Sequence, residues 1–452
     1  MFVIKHPFFI NLLPFNPKHM KEIYVLLILL LLSVNTNAQH IPADKQTKSI
    51  LILNGKAHLG NGTVIEKSAI GFKDGKIILV TDVKSINVSN NSFDVTIDAN
   101  GKDVYPGFIA PNSTLGLVEI GAVKASNDES EIGEMNPHIR SIIAYTADSK
   151  VVETMPTCGV LIAQITPRDG TISGTSSIVQ LDAWNWKDAL IKENDGVNLD
   201  FPRIYRKTGS KFEPGYVIVN NEYIKQIEDI SLFFSNSKAY FADESKERNL
   251  VFEAMKGLFE GTQTLFIHAN AEKQIIDAVN LSKEFNIKKM VIVGGYDAYK
   301  AADLLQKNNI GVLLRRVHDM PENRDHDINL PFKMAKLLID KGILVGLENS
   351  GDKERMNTVN LAFQAGTCAA YGLDKEQALQ LITSNTAKIL GIDDRCGSLE
   401  LGKDATLFIS EGDALEMRTN KLTEAFIQGR KLNLETHQTQ LYKKYKEKYN
   451  QK

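Results

Sequence analysis

Val104-Tyr105-Pro106-Gly107-Phe108-Ile109-Ala110-Pro111-Asn112-Ser113-Thr114 marks the point where the chain passes from one kind of pattern to another. The apolar run from Val104 to Ile109 reads as a buried strand, and Asn112 and Thr114 follow it at alternate positions, which places them on one face. Before it, from Ser49 to about Asp103, short apolar runs such as Ile50 to Leu53, Ala69 to Phe72 and Ile77 to Val80 are broken by turn residues. Asp74-Gly75 between two of these runs is a strong hairpin signal. A matching β-rich set recurs far away, in Gly397 to Ile409 and Glu424 to Arg430. Neither end is large enough to stand alone, so residues 45–105 and 397–435 are expected to join into one small β-sandwich.

Between them, over residues 106–396, strand-like runs alternate with helical patterns, the signature of a parallel sheet with crossover helices. The runs are Val104 to Ile109, Gly159 to Ile165, Ser177 to Leu181, Thr264 to His268, Met290 to Val293, Gly311 to Val317 and Ile343 to Leu347, one short of a closed eight-stranded barrel. The missing strand is expected between residues 200 and 263, with Ile230 to Phe234 as candidate. Glu272 to Glu284 and Lys375 to Ile389 keep apolar residues at helical spacing. Residues 436–452 read as a helical tail whose lysines and tyrosines form a solvated face.

A chain of 452 residues with 43% hydrophobic content can bury a large core, and its formal net charge of -2 gives no electrostatic case for nucleic acid. Lys18 and Lys21 precede an apolar run from Ile23 to Val34 that exits through Asn35-Thr36-Asn37-Ala38-Gln39. This is a signal-peptide pattern over residues 20–39, with Met20 as start and residues 1–19 as an upstream extension. It implies an exported, periplasmic protein with no stable membrane span after cleavage. The three cysteines, Cys158, Cys368 and Cys396, fit no metal spacing and read as buried thiols, with room for one disulfide.

In the C-terminal third, Ala378-Leu379, Ile382-Thr383-Ser384-Asn385-Thr386-Ala387-Lys388-Ile389-Leu390-Gly391 and Gly397-Ser398-Leu399-Glu400-Leu401-Gly402-Lys403-Asp404-Ala405-Thr406-Leu407 follow one another in order. Together with the run at Val104, this closely resembles the amidohydrolase superfamily, most of all its exported imidazolonepropionase-like branch. The resemblance implies an α/β fold, a distorted (β/α)8 TIM barrel with a small composite β-sandwich made by both chain ends. It also implies hydrolysis of non-peptide carbon-nitrogen bonds with a divalent metal such as zinc, which activates water and polarises the scissile carbonyl. Barrels of this family commonly pair, so a homodimer is one expectation and a small-molecule ligand another.

The family's metal-binding positions are largely replaced. Its first strand reads V-x-P-G-F/L-I-D-x-H-x-H, and here Ala110 stands for the Asp while Asn112 and Thr114 stand for the histidines. Gln180 occupies the place of a metal-bridging lysine, Gly294 that of the sixth-strand histidine, and Ser350 that of the eighth-strand Asp. His268 keeps the fifth-strand histidine. The catalytic candidates are therefore His268, Glu348 and Asp352, the last two requiring a register shift. A rebuilt metal site would draw on His268, His318, Asp319 and Glu348. The rival arrangement is a polar pocket of Asn112, Thr114, Gln180, His268, Glu348 and Asn349 without metal, in a catalytically silent barrel that binds a ligand or an envelope partner, a pseudoenzyme. Ser173, Ser176 and Ser177 read as an anion-cradling loop, and Trp184 and Trp186 as residues just past a strand end.

Overall fold

The computed structural model describes residues 41–86, 93–209, 214–243, 247–322, 326–351 and 354–450. The expected signal peptide, the extension before it and Asp352 lie outside the described residues. The strands in chain order are β1 (Ile50–His58), β2 (Val64–Lys73), β3 (Lys76–Asp82), β4 (Val95–Asp98), β5 (Asp103–Pro106), β6 (Phe108–Ser113), β7 (Val160–Ile165), β8 (Ile172–Gln180), β9 (Leu190–Asp200), β10 (Tyr205–Gly209), β11 (Pro214–Val219), β12 (Thr264–Ala269), β13 (Met290–Gly294), β14 (Gly311–Leu314), β15 (Val345–Leu347), β16 (Leu407–Ser410), β17 (Leu422–Ile427) and β18 (Arg430–Lys431).

The two flanks of the chain form one sheet in the order β18-β17-β16-β5-β1-β2-β3, with β4 pairing parallel to β1. The sheet curls on itself: Ile77 N–H donates to Lys403 O at 2.9 Å and Gly402 N–H to Ile77 O at 2.8 Å, so β3 returns to the segment that enters β16. Ile52, Ile70, Phe72, Leu407 and Phe426 fill the enclosed core. Asp74 (φ 51°) and Gly75 (φ 79°) both take the left-handed conformation, the turn that suits the twist of the β2–β3 hairpin.

The second large sheet, in the order β15-β14-β13-β12-β9-β8-β7-β6, is the barrel. It has eight strands, and the one absent from the sequence reading is β9, not Ile230 to Phe234. Those residues belong to the helix Tyr223–Ala242, where Ile230 and Phe234 lie four apart on its buried face. β8 runs antiparallel to both neighbours while every other pairing is parallel. This is the distortion of the barrel, and it corrects the expectation of an all-parallel sheet. The seam between β15 and β6 is bridged by two residues, since Leu347 N–H donates to Leu381 O at 3.0 Å and Ile109 N–H to Ile382 O at 2.9 Å. For this reason Lys375 to Ile389 is not one helix but two, Lys375–Gln380 and Ser384–Leu390, parted where the backbone turns aside to close the barrel.

The barrel interior has an apolar floor. Ile109, Ile162, Ile178, Phe266, Val291 and Leu313 point inward and pack against Ala387, Ile389 and Leu390 of the plugging helix. Each such side chain contributes about 2 kcal/mol by leaving water. Above the floor the lining turns polar, and the functional candidates lie there.

Candidate functional site

A cavity of about 1140 Å³ opens at the C-terminal ends of the barrel strands, where such barrels carry their chemistry. Asp200, His268, Asn270, Arg315, Glu348 and Ser350 are among its walls. β12 delivers His268 one residue before its end, and Glu348 follows directly after β15.

His268 Nε2 lies 3.5 Å from Asn198 Oδ1, a weak contact. Desolvation lowers its pKa to about 4; Asp200 opposes the shift and the nearby Arg168 charge adds to it. At neutral pH the ring is therefore uncharged. Glu348 is buried, and that burial raises its pKa against the pull of Ser350, whose N–H donates to Oε2 at 2.5 Å, and of Arg168.

Below these groups lies a network that the sequence did not announce. Arg168, three residues past β7, donates from Nη1 to Asn112 Oδ1 at 2.9 Å and from Nη2 to Asn112 O at 2.8 Å. The same guanidinium pairs with Glu354 Oε2 at 3.1 Å. Glu354 also accepts from Ser113 Oγ (2.9 Å), Thr114 N–H (2.8 Å) and Thr114 Oγ1 (3.2 Å). Asn112 completes the set by donating from Nδ2 to Glu348 Oε2 at 3.2 Å and from its backbone N–H to Gln164 Oε1 at 2.9 Å. Asn112 holds φ 49°, a left-handed turn that asparagine tolerates, and there the pairing of β6 with β7 shifts register. Gln164 passes the network on to Asp195 at 2.7 Å, and Ser176 Oγ donates to Asp195 at 2.7 Å as well. Burial pushes Asp195 up to about 6 although both partners favour its charge.

The residues anticipated from the sequence separate into three groups. His268, Glu348 and Asp319 reach the same cavity. Asn112, Thr114 and Asn349 are buried beneath or behind it; the Asn349 side chain is tied to Gln364 and to Glu354 O. Gln180 and His318 are elsewhere. β8 is reversed, so Gln180 ends at the opposite mouth of the barrel, where it bonds Asp182 N–H and Asp188 O beside the exposed Trp184. His318 is exposed and its Nε2 lies 2.7 Å from Thr367 Oγ1 on the helix Leu361–Ala370, while Asp319 pairs with Arg315 at 2.9 Å. The rebuilt His268, His318, Asp319 and Glu348 site is thus not assembled. Ser173, Ser176 and Ser177 belong to β8 and not to a loop.

The residues present do not fit the family's metal. Among the described residues no three His, Cys, Asp or Glu side chains converge in a ligand set. The strand-one positions are filled by Asn112 and Thr114, whose polar atoms are already engaged, and Arg168 puts a permanent positive charge against Asn112. Gly294 holds φ 93°, a conformation that L side chains rarely adopt, and a Cβ there would meet Asn270 Oδ1 at 2.7 Å, so a ligating side chain at that position would be strained and would have to displace the Asn270 side chain.

An eight-stranded barrel with a polar mouth at its strand ends is joined to a sheet made by both chain ends, an architecture shared with solved amidohydrolases. Residues 251–437 match the model of the amidohydrolase family, and this match supports the resemblance of the chain to the amidohydrolase superfamily. Amidohydrolase tasK of Hapsidospora irregularis is 34% identical over 115 residues, 24% of this chain and only 11% of that protein's length. The 5'-deoxyadenosine deaminase of Methanobrevibacter smithii is 22% identical over 373 residues, 78% of this chain and 81% of that one. Among solved structures, an amidohydrolase from Thermotoga maritima MSB8 superposes with a TM-score of 0.71 at 22% identity, over 85% of this chain and 99% of that one. An adenosine deaminase from Xanthomonas campestris with bound zinc superposes with a TM-score of 0.52 at 14% identity, over 90% and 98%. At these identities the structural likeness shows the fold.

Proposed function

We propose that the barrel mouth binds a small polar compound containing a non-peptide carbon-nitrogen bond, through a site without a divalent metal, beneath which the Arg168 guanidinium supplies a fixed positive charge. The observation that carries this reading is the bridge from Arg168 to Asn112 and Glu354, built across the strand-one ligand positions. The compound class rests on the superfamily resemblance and on relatives named deaminase and amidohydrolase. The order of motifs from Ala378 to Leu407 favours the imidazolonepropionase-like branch, and the pattern over residues 20–39 favours export to the periplasm.

A second reading keeps hydrolysis of the carbon-nitrogen bond, and one observation favours it. Glu348 is a buried carboxyl held toward its protonated form at the wall of the cavity that also holds the neutral His268. In this reading His268 accepts the proton of the attacking water and Glu348 gives one to the departing nitrogen.

The experiment that separates them is elemental analysis of the purified protein after exposure to Zn²⁺, Mn²⁺ and Fe²⁺, followed by a screen of cyclic amides, imidazolones, N-acyl amines and purine nucleosides for thermal stabilisation and for turnover with chelator present. The first reading expects substoichiometric metal, a stabilising compound and no turnover. Chelator-resistant turnover lost in Glu348→Gln establishes the second. About one metal per chain, lost in His268→Ala, overturns both.

A further inference from the structure

A second cavity, of about 560 Å³, lies at the opposite end of the barrel, where barrel and curled sheet meet. The β2–β3 turn, the end of β8 and the β17–β18 turn all contribute to its walls. These walls are tied to one another by the protein alone. Gln46 Oε1 accepts from Gly75 N–H (2.8 Å), Arg395 Nη1 donates to Ile191 O (3.0 Å), and Arg430 Nη1 bonds both Ala43 O (3.2 Å) and the buried Asp182 (2.9 Å). The two tryptophans past β8 have different surroundings. Trp186 is half-buried, packs on the barrel core and has the Lys187 ammonium 5.4 Å from its ring centroid. Trp184 is 65% exposed at the cavity wall, and among the described residues no ring or cation covers its indole. Its backbone is fixed all the same, because Trp184 N–H donates to Asp188 Oδ2 at 3.0 Å. Apart from Trp184, Ala43 and Gly75, every residue of the wall has a polar side chain, which excludes a lipid or another apolar guest.

The charges of the wall cancel. Lys76 and Arg395 share Asp404, at 2.5 and 2.8 Å, and Arg430 is neutralised by Asp182, which leaves one surplus positive charge. Lys45 adds a second, and Asp74 and Asp188 offset both. A phosphate, a sulfate or a nucleotide therefore finds no field to hold it. What remains is an uncovered aromatic face among groups that give and accept hydrogen bonds. Among the described residues the side chains of Lys45 and Asp74 have no partner, and Asp188 engages Oδ2 alone. A hydroxyl donates and accepts at once, so neighbouring hydroxyls suit an ammonium and a carboxylate together. The negative face of an indole attracts the positive C–H hydrogens along one side of a pyranose ring. We infer that this cavity is a carbohydrate-binding site, taking a short neutral saccharide with one ring stacked on Trp184 and its hydroxyls turned to Lys45, Asp74 and Asp188. The volume falls within the range of about 300 to 1,000 Å³ usual for small-molecule sites. The inference does not rest on the reading of the barrel mouth, since none of the residues used here lines that cavity.

The test begins with a glycan array that carries neutral di- to tetrasaccharides of glucose, galactose, mannose and N-acetylglucosamine beside sulfated and uronic acid glycans, probed with the full chain. The strongest neutral binder is then titrated by calorimetry against the wild type, Trp184→Ala, Trp184→Tyr and His268→Ala. The expected result is retention of neutral glycans, with a dissociation constant that rises at least about tenfold in Trp184→Ala and recovers in part in Trp184→Tyr. His268→Ala is expected to leave it unchanged, and so is a change of salt from about 50 to 500 mM. Trp184 is largely exposed, so its replacement leaves the fold intact, which an unchanged thermal midpoint verifies. Retention of no neutral glycan overturns the inference. So does binding as tight in Trp184→Ala as in the wild type, retention confined to charged glycans, affinity that falls away with salt, or loss of the glycan in His268→Ala, which would place it in the barrel mouth.

Discussion

Arg168 brings a charge to a place where the superfamily pattern calls for a dication, and the consequences are open to measurement. Its partner Glu354 is buried, with a side chain 7% exposed, so removing the guanidinium leaves a carboxylate with hydrogen bonds but no counter-charge. Arg168→Met is therefore expected to cost about 3 kcal/mol in urea denaturation, the scale for breaking a largely buried pair. Arg168→Lys recovers little, since a point charge cannot reach Asn112 Oδ1, Asn112 O and Glu354 together. The same residue governs metal binding. Asn112→His with Thr114→His is expected to stay free of zinc while Arg168 remains, and to gain it only when Arg168→Met is added, beside His268 and Glu348. Stoichiometric zinc in the double variant, read by elemental analysis, would sink the idea that Arg168 takes over the cation's place. The sequence exposed the substitutions at Asn112 and Thr114 because they fall inside a recognisable run. It did not expose Arg168 and Glu354, which lie 186 positions apart and meet only through the fold.

At the level of elements, a charged histidine ties the curled sheet to the barrel. His58 of β1 stacks on Tyr105 of β5, lies 3.5 Å from Asp103, and reaches Glu376 of the helix Lys375–Gln380 at 2.6 Å. Burial works against its charge, yet the hydrogen bonds and charges of Asp103 and Glu376 outweigh it and raise the pKa to about 9. A raised histidine stabilises the fold fully below its unfolded value near 6.5, and that contribution is lost as pH rises through 9. The thermal midpoint is thus expected to fall between pH 6.5 and 9 by an amount worth at most about 3 kcal/mol, and His58→Gln to flatten that slope. An unchanged slope in the variant would assign the fall to other groups. The elements that form this joint were legible in part. Asp74-Gly75 gave the β2–β3 hairpin because its turn chemistry is local. The break at Leu381 and Ile382 was hidden, because apolar spacing there suits a helix and only the need to bridge β15 to β6 pulls the backbone out of it. The reversal of β8 was hidden for the same reason: a buried strand reads alike in either direction, and with it Gln180 moved to the wrong end of the barrel.

Across the whole molecule the question is whether barrel and sheet unfold together. The chain runs from β5 in the sheet into β6 in the barrel with Gly107 alone between them, and returns to the sheet at β16. β5 pairs with β16 there, so the two crossings hold each other in register. A domain entered twice and closed by strands from both ends has no way to open without loosening the barrel, which argues for one cooperative unit. The cysteines report on this. All three are free thiols, with Cys158 partly accessible, Cys368 in the outer layer of barrel helices, and Cys396 packed among the floor residues where the barrel meets the sheet. Burial pushes both Cys368 and Cys396 up to about 12, so neither reacts in place. In the native state a maleimide is expected to label Cys158 alone. Labelling of Cys368 and Cys396 should be slower by at least about a thousandfold, as a stability of a few kcal/mol or more requires. The two buried sites should also label at one common rate as urea is raised, followed by mass spectrometry. Cys396 reacting well before Cys368 would mean that the sheet parts from the barrel floor on its own, and that the double crossing at β5 and β16 does not couple them.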